Sequence, residues 1–223
     1  NHLHHNPDNP KWEGRDKVIL SIGHTAPVLY ATLAAAGYFP EAEMMTLRKM
    51  GSRLQGHPSY EFQLPGLESC SGSLGQGLGV ALGMALAAKM DGKPNRVFCI
   101  MGDGGFQMTI EELGVIMQYK IPVKMVLLNN NFLGMIRQLQ DLYYNSRYYF
   151  GVLENPDFVK IVDAYRIPAR KVTRQADLEP AISEMLSCEG PYFLEVQVEQ
   201  KDNIYPVIPA GAGVDELRLG PEN

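Results

Sequence analysis

Asp103, in Gly102-Asp103-Gly104, follows the apolar run Val97-Phe98-Cys99-Ile100-Met101, and Asn129-Asn130 closes a second apolar run, Val123 to Leu128. A carboxylate and a carboxamide at the ends of two buried strands offer the hard oxygen ligands that Mg2+ or Ca2+ prefers. Flanking glycines, having no side chain, let backbone N–H groups come close to a phosphate. The 24 residues between Gly104 and Asn129 leave room for one helix and a turn, so both signals fit a single strand-helix-strand unit. The pattern reads as a diphosphate anchored through a divalent cation. The competing reading is an Asp-Gly turn and an Asn-rich turn in an ordinary α/β domain. Nucleotide binding is the weaker alternative, because the chain has neither a Gly-x-Gly-x-x-Gly run nor a Gly-Lys-Ser/Thr loop.

The elements that must position these residues follow from periodicity and punctuation. Lys17 to Leu20 is a short strand, Arg96 to Met101 and Val123 to Leu128 are buried strands, and Tyr192 to Val198 is the last. Helices are expected over Pro27 to Ala36, closed by Gly37, and over Pro40 to Met50, closed by Gly51. Leu74 to Met90 is a helix dense in Gly and Ala; each Gly costs about 1 kcal/mol against Ala, so several together require close packing against another backbone or a ligand. Thr109-Ile110-Glu111-Glu112 reads as a capping box opening a helix whose Ile110, Leu113, Ile116 and Met117 share a face. Further helices are expected over Gly134 to Asp141, Phe158 to Tyr165 and Leu178 to Leu186, while Asn1 to Gly14 is irregular. A right-handed strand-helix-strand unit would place both motifs at carboxyl ends, where open α/β sheets bind ligands. The fold class is therefore α/β, with a mostly parallel sheet flanked by helices on both faces, and residues 1–223 read as one domain.

Composition bounds the function. With 223 residues, 45% of them hydrophobic, the chain can bury a full core. A net charge of −5 with no Lys/Arg block argues against nucleic acid or an anionic membrane as partner. Cys70, Cys99 and Cys188 match no metal or redox spacing, and no apolar stretch reaches membrane-spanning length, so a cytoplasmic setting is the expectation. The start at Asn1 rather than Met points to a fragment or a processed start.

All five histidines fall in the first 57 residues. His2, His4 and His5 lack an acidic or Cys partner at ligand spacing and read as a solvated terminus. His24 lies after a strand and before a helix, where its imidazole would project from the same sheet edge as Asp103. His57 sits in a loop between Gly56 and Pro58. Each serves equally well as an ordinary hydrogen-bonded histidine or as a site residue.

Gly102-Asp103-Gly104 followed by Asn129-Asn130 resembles the cofactor motif of thiamine diphosphate (TPP)-dependent enzymes. The resemblance implies Mg2+ held by Asp103, Asn130 and the carbonyl of Phe132, with Gly102, Gly104, Gly105, Leu133, Gly134 and Met135 around the diphosphate. Residues 1–93 resemble the amino-terminal part of transketolase, through Asn6-Pro7-Asp8-Asn9-Pro10, Gly23-His24-Thr25-Ala26-Pro27, Gly56-His57-Pro58 and Gly72-Ser73-Leu74-Gly75-Gln76-Gly77. His24 and His57 match histidines that line the cofactor and sugar site there. Residues 96–219 resemble the carboxyl-terminal part of an acetolactate synthase large subunit, through Gly102 to Met108, Pro122-Val123-Lys124, Gly134-Met135-Ile136-Arg137-Gln138, Asn155-Pro156-Asp157-Phe158 and Tyr205 to Ala212. The two segments meet between Lys93 and Arg96, as in a natural or built hybrid. Either resemblance puts a glycine carbonyl at Gly72, against the cofactor's 4′-amino group, with Ser73 beside it. Leu74 would then be the apolar wedge that keeps TPP bent; the plainer reading makes it a core leucine at a helix start.

The resemblance implies a carboligase: acetolactate synthase joins two 2-oxo acids with loss of carbon dioxide, while transketolase moves a two-carbon ketol unit between sugar phosphates. Where acetolactate synthases usually carry a pocket Trp, this chain has Leu139, which leaves selectivity open. Both families supply a Glu from a pyrimidine-binding domain across a subunit interface to activate the cofactor. That domain is expected from a partner, in a homo- or hetero-oligomer, and a cofactor-binding or assembly module without catalysis of its own is the remaining class. The Gly/Ala helix and the apolar strip Phe132 to Ile136 fit either a subunit interface or buried core.

Overall fold

The computed structural model describes residues 2–213 and 215–221. Five strands form one parallel sheet: β1 (Lys17–Leu20), β2 (Val97–Gly102), β3 (Val123–Asn129), β4 (Ala169–Val172) and β5 (Tyr192–Gln197), in the order β1-β2-β3-β5-β4. The helices are α1 (Ala26–Ala35), α2 (Gln76–Met90), α3 (Asp103–Gln107), α4 (Glu112–Tyr119), α5 (Gly134–Tyr143), α6 (Phe158–Ala164) and α7 (Leu178–Ser187).

Strand alternation divides the core. Val97, Cys99 and Met101 of β2, with Val123, Met125 and Leu127 of β3, face a cluster built with Leu78, Ala81 and Ala85 of α2, Leu113 and Ile116 of α4, and Phe158 and Val162 of α6. Phe98 and Leu194 face the opposite way, against Ala181 and Met185 of α7. Because β2 and β3 are covered on both faces, their sequences are nearly unbroken apolar runs rather than alternating ones. A third cluster, Tyr30, Leu33, Phe39, Leu47, Leu54 and Leu64, fixes the long connection from α1 to α2.

Two local expectations are corrected. Pro40 to Met50 is not an α-helix: Glu41–Thr46 forms short 3-10 turns, Leu47 is extended, and Arg48 takes the left-handed φ of 61°. Burying Leu47 beside Leu54 demands that reversal, and the Arg48 N–H closes it by donating to the Leu54 carbonyl at 2.8 Å. Thr109 does not cap a helix either. Its hydroxyl donates to the Gly75 carbonyl at 3.1 Å, tying the start of α2 to this loop, and α4 begins at Glu112 without a side-chain cap. The segment from Asp103 to Gln107, read only as a motif, forms α3, and β4 is an edge strand with no apolar run to announce it. Asn1 lies outside the described residues; the rest of the stretch to Gly14 has neither helix nor strand.

No described helix is long and apolar enough to cross a membrane.

Candidate cofactor site at the carboxyl edge of the sheet

The register pairs Gly102 of β2 with Leu128 of β3, so Asp103 and Asn129 leave adjacent strands side by side. Asp103 is 3% exposed, and no Lys, Arg or His pairs with it among the described residues. Burial pushes its carboxyl above the usual carboxylate range, against hydrogen bonds that favour the ionised form. Oδ1 accepts from the Gly104 N–H at 3.0 Å, and Oδ2 accepts from Nδ2 of Asn155 at 2.7 Å. A buried carboxylate without a cation is under electrostatic stress that a divalent ion relieves.

Asn155 precedes α6 and reaches back across 52 residues to Asp103. The same Nδ2 donates to Asn129 Oδ1 at 3.0 Å, and Gln107 Nε2 donates to Asn155 Oδ1 at 2.8 Å. Two local features shape the chain around it: a residue before proline is held extended, and Asp157 caps α6 by accepting from the Lys160 N–H at 3.1 Å. Asn155-Pro156-Asp157 was visible in the sequence, but its contact with Asp103 follows only from where α6 docks.

The two asparagines of the pair have separate tasks. Asn129 is built into the sheet, donating through Nδ2 to Glu195 at 2.8 Å, while Lys171 neutralises Glu195 at 2.6 Å. Asn130 turns the other way, its Oδ1 accepting from the Phe132 N–H at 3.1 Å, and its Nδ2 lies 3.4 Å from where a Cβ on Gly134 would sit. Phe132 forms an antiparallel bridge with Val152, and its neighbours Asn131 and Leu133 make the hydrogen bonds to Leu153 and Gly151. The Phe132 carbonyl consequently points away from that pair. Asp103, Asn130 and that carbonyl would together make an all-oxygen donor set, of a kind that suits Mg2+ or Ca2+ rather than a soft metal.

Close packing gathers the other expected residues. A Cβ on Gly104 would lie 3.0 Å from Leu133, one on Gly102 3.2 Å from Ile22, and one on Gly75 3.0 Å from the Gly105 carbonyl. A Cβ on Gly23 would lie 2.4 Å from the Ser71 carbonyl, so the loop holding His24 abuts the segment starting at Gly72. Ser73 and Gly72 are exposed, Met135 is half-buried, and Leu74 is 39% exposed, which corrects the reading of Leu74 as a core leucine. Leu139 is also exposed. Within the strip Phe132 to Ile136, Phe132 is buried and Ile136 exposed, so neither of its two readings covers the whole strip.

His24 is half-buried, and its imidazole is held below the ordinary value of 6.5 first by burial and then by nearby His57, which is itself exposed. The terminal histidines disperse: His2 meets Glu179 at 3.4 Å and His5 stacks on Tyr38. Among the described residues no three His, Cys, Asp or Glu side chains form a metal cluster. Cys99 is buried in β2 with its thiol pushed up to about 12, which makes it inert.

Comparison with known proteins gives the family. The family described as "Thiamine pyrophosphate enzyme, C-terminal TPP binding domain" matches residues 54–196. Acetolactate synthase isozyme 2 large subunit of Escherichia coli is 40% identical over 147 residues, 66% of this chain and 26% of that protein. Mitochondrial acetolactate synthase of Schizosaccharomyces pombe is 41% identical over 148 residues, 66% of this chain and 22% of that protein. The chain thus spans about a quarter of the length of these relatives. A transketolase mutant from Pichia stipitis superposes with a TM-score of 0.69 over 88% of this chain and 30% of that one, at 23% identity, a likeness of fold. The chain belongs to the family of the C-terminal TPP binding domain of thiamine pyrophosphate enzymes.

Proposed function

We propose that the chain is the TPP- and Mg2+-binding domain of a carboligase of the acetolactate synthase kind, which condenses two 2-oxo acids with loss of carbon dioxide. The observation that carries this reading is a buried carboxylate, Asp103, with no ion-pair partner among the described residues, at the end of the strand next to the one that Asn129-Asn130 closes. Asp103, Asn130 and the Phe132 carbonyl would hold the cation, and Gly104 and Gly105 would let backbone N–H groups approach a phosphate. Bound TPP supplies a nucleophilic carbon and an electron sink. The chain's own part is to orient: Asn155 fixes the Asp103 carboxylate, Gly134 leaves room for the Asn130 carboxamide, and Leu74 offers an apolar surface beside Gly72. The Glu that activates the cofactor would come from a pyrimidine-binding domain, on another segment or subunit.

The proximity of His24 and His57 supports a second reading, ketol transfer between sugar phosphates, in which both imidazoles would face substrate. Titration calorimetry with TPP and Mg2+ tests the shared core: saturable, metal-dependent binding is expected, and its absence would end both readings. Turnover of pyruvate against xylulose 5-phosphate, with a pyrimidine-domain partner supplied, separates them. Activity on neither substrate favours a binding or assembly module.

A further inference from the structure

The sheet buries a charge where an apolar residue would serve the core better. Glu195 is 1% exposed in β5, which runs between β3 and β4, and its Oε2 is buried without a hydrogen-bond partner. A buried carboxylate with one oxygen unsatisfied is costly, and an apolar side chain of similar size is often at least as stable in its place. The preceding residues of the strand, Phe193 and Leu194, are core. Stability of the fold alone therefore does not account for Glu195.

Its side-chain hydrogen bonds fall on Oε1. Lys171, directly opposite on the edge strand β4, donates to that oxygen at 2.6 Å, and Asn129 Nδ2 donates to it at 2.8 Å. A carboxylate paired with an ammonium only accepts, so it fixes which end of the Asn129 carboxamide faces it. Asn129 Oδ1 is left on the other side, accepting from the Asn131 N–H at 3.1 Å and from Asn155 Nδ2 at 3.0 Å. Turned over, Asn129 would set its oxygen against Glu195 and its NH2 against two donors.

That polarity passes one residue further. The Asn155 Nδ2 that meets Asn129 also donates to Asp103 Oδ2 at 2.7 Å, and Asn155 Oδ1 is turned away to accept from Gln107 Nε2 at 2.8 Å. With Asn129 reversed, Asn155 would face a competing donor, and turning to accept from it would bring its own oxygen against the Asp103 carboxylate. The ordered hydrogen bonds thus run from β4 and β5, across the end of β3, to the residue that follows β2.

We propose that Glu195 is a positioning residue for the cation site: acting through Asn129 and Asn155, it sets the orientation in which the Asp103 carboxylate would meet the cation. The inference rests on the reading of Asp103 as a cation ligand and adds to it a determinant two side chains away.

The test is calorimetry of Mg2+ binding to the 223-residue chain at saturating TPP, beside urea unfolding. Glu195→Met, close in shape, should lower Mg2+ affinity about tenfold, at the low end for outer-shell partners because it acts through two others. Glu195→Gln keeps an acceptor oxygen without the charge, and should hold the affinity within about threefold of the parent. In an Asn155→Ala background, Glu195→Met should bring no further loss, since the route is already cut. A purely structural role would lower the unfolding midpoint and leave the Mg2+ affinity of the folded chain parent-like. That result in Glu195→Met, an equal loss in Glu195→Gln, or additive losses in the double variant would each overturn the proposal. In Mg2+-free buffer, the side-chain amide NMR signals of both Asn129 and Asn155 should move in Glu195→Gln. A change confined to Asn129 would overturn the proposal, and this measurement decides it if Glu195→Met does not fold. Absence of Mg2+-dependent TPP binding in the parent would remove the cation reading and this inference together, whereas parent binding that Glu195→Met leaves intact would remove this inference alone.

Discussion

The Arg96 guanidinium donates to Asp16 Oδ2 through Nη2 at 2.6 Å and Nε at 3.1 Å, while the Arg96 N–H donates to Asp16 Oδ1 at 2.8 Å. One buried carboxylate thus binds the start of β1 to the start of β2, across 80 residues of chain. It also accepts from the His4 N–H at 2.9 Å, fastening the irregular amino-terminal stretch to the sheet. The contact ties the segment before β1 to the stretch that follows Lys93.

Replacing Asp16 should therefore destabilise the whole sheet. Its side chain is fully buried, whereas that of Arg96 keeps 23% exposure. Asp16→Ala is expected to cost about 3 kcal/mol, the low end for breaking a buried pair, because Arg96 can partly rehydrate. Urea unfolding of Asp16→Ala, Arg96→Met and the double variant gives the coupling. Additive losses, with no interaction energy, would show that the pair does not join the two strands.

The cofactor site yields a graded pair of outcomes. Asp103→Ala should abolish metal-dependent TPP binding, since the sole carboxylate of the donor set is gone. Asn155→Ala keeps every ligand but frees the Asp103 carboxylate to rotate; loss of such outer-shell partners typically costs roughly 10–100-fold in metal affinity. Calorimetry with Mg2+ at saturating TPP reads both. A parent-like Mg2+ affinity in Asn155→Ala would reduce the 2.7 Å contact to a structural role.

Much of this site was legible because parallel strands covered on both faces spell themselves as unbroken apolar runs. Val97 to Met101 and Val123 to Leu128 announced β2 and β3, and with them the ends where Asp103 and Asn130 emerge. What stayed hidden depended on distant partners. The Pro40 to Met50 segment had helix punctuation, but tertiary burial of Leu47 overrode it. β4 carries Arg170 and Lys171 in a four-residue edge strand, where no continuous apolar run is needed. Lys124 reads as a charge inside a buried strand, and only the fold shows its Nζ reaching past the strand to the Gly190 carbonyl at 2.7 Å. Asn155 matters through contacts that no local spacing encodes.

The histidine pair predicts a pH response whose sign is fixed. A base whose folded pKa is depressed binds fewer protons folded than unfolded, so stability is fully present above 6.5 and is lost as pH falls from there through the folded value. NMR titration should place the His24 midpoint below 6.5. His57→Asn should raise that midpoint without bringing it to 6.5, because burial, the larger cause, remains. A midpoint at or above 6.5 in the parent, or no change on removing His57, would break the pairing.

The glycines of α2 do not share one reason for being there, and two alanine substitutions separate them. A Cβ on Gly77 would lie 2.5 Å from the Ser21 Cβ and 2.7 Å from its Cα, where the Gly77 N–H already donates to Ser21 Oγ at 3.2 Å. Gly77→Ala must push α2 off β1, and the overpacking should cost about 1–3 kcal/mol or more. Nothing lies within 4 Å of a Cβ on Gly83, which is exposed. Gly83→Ala in the chain alone should gain up to about 1 kcal/mol of helix propensity. Close approach within the chain therefore accounts for Gly77 and not for Gly83, whose bare face is available to another segment or subunit. Equal effects of the two substitutions in urea unfolding would contradict the packing of α2 on Ser21. A gain for Gly83→Ala in the isolated chain, turned to a loss of assembly when the pyrimidine-domain partner is present, would assign that face to an interface.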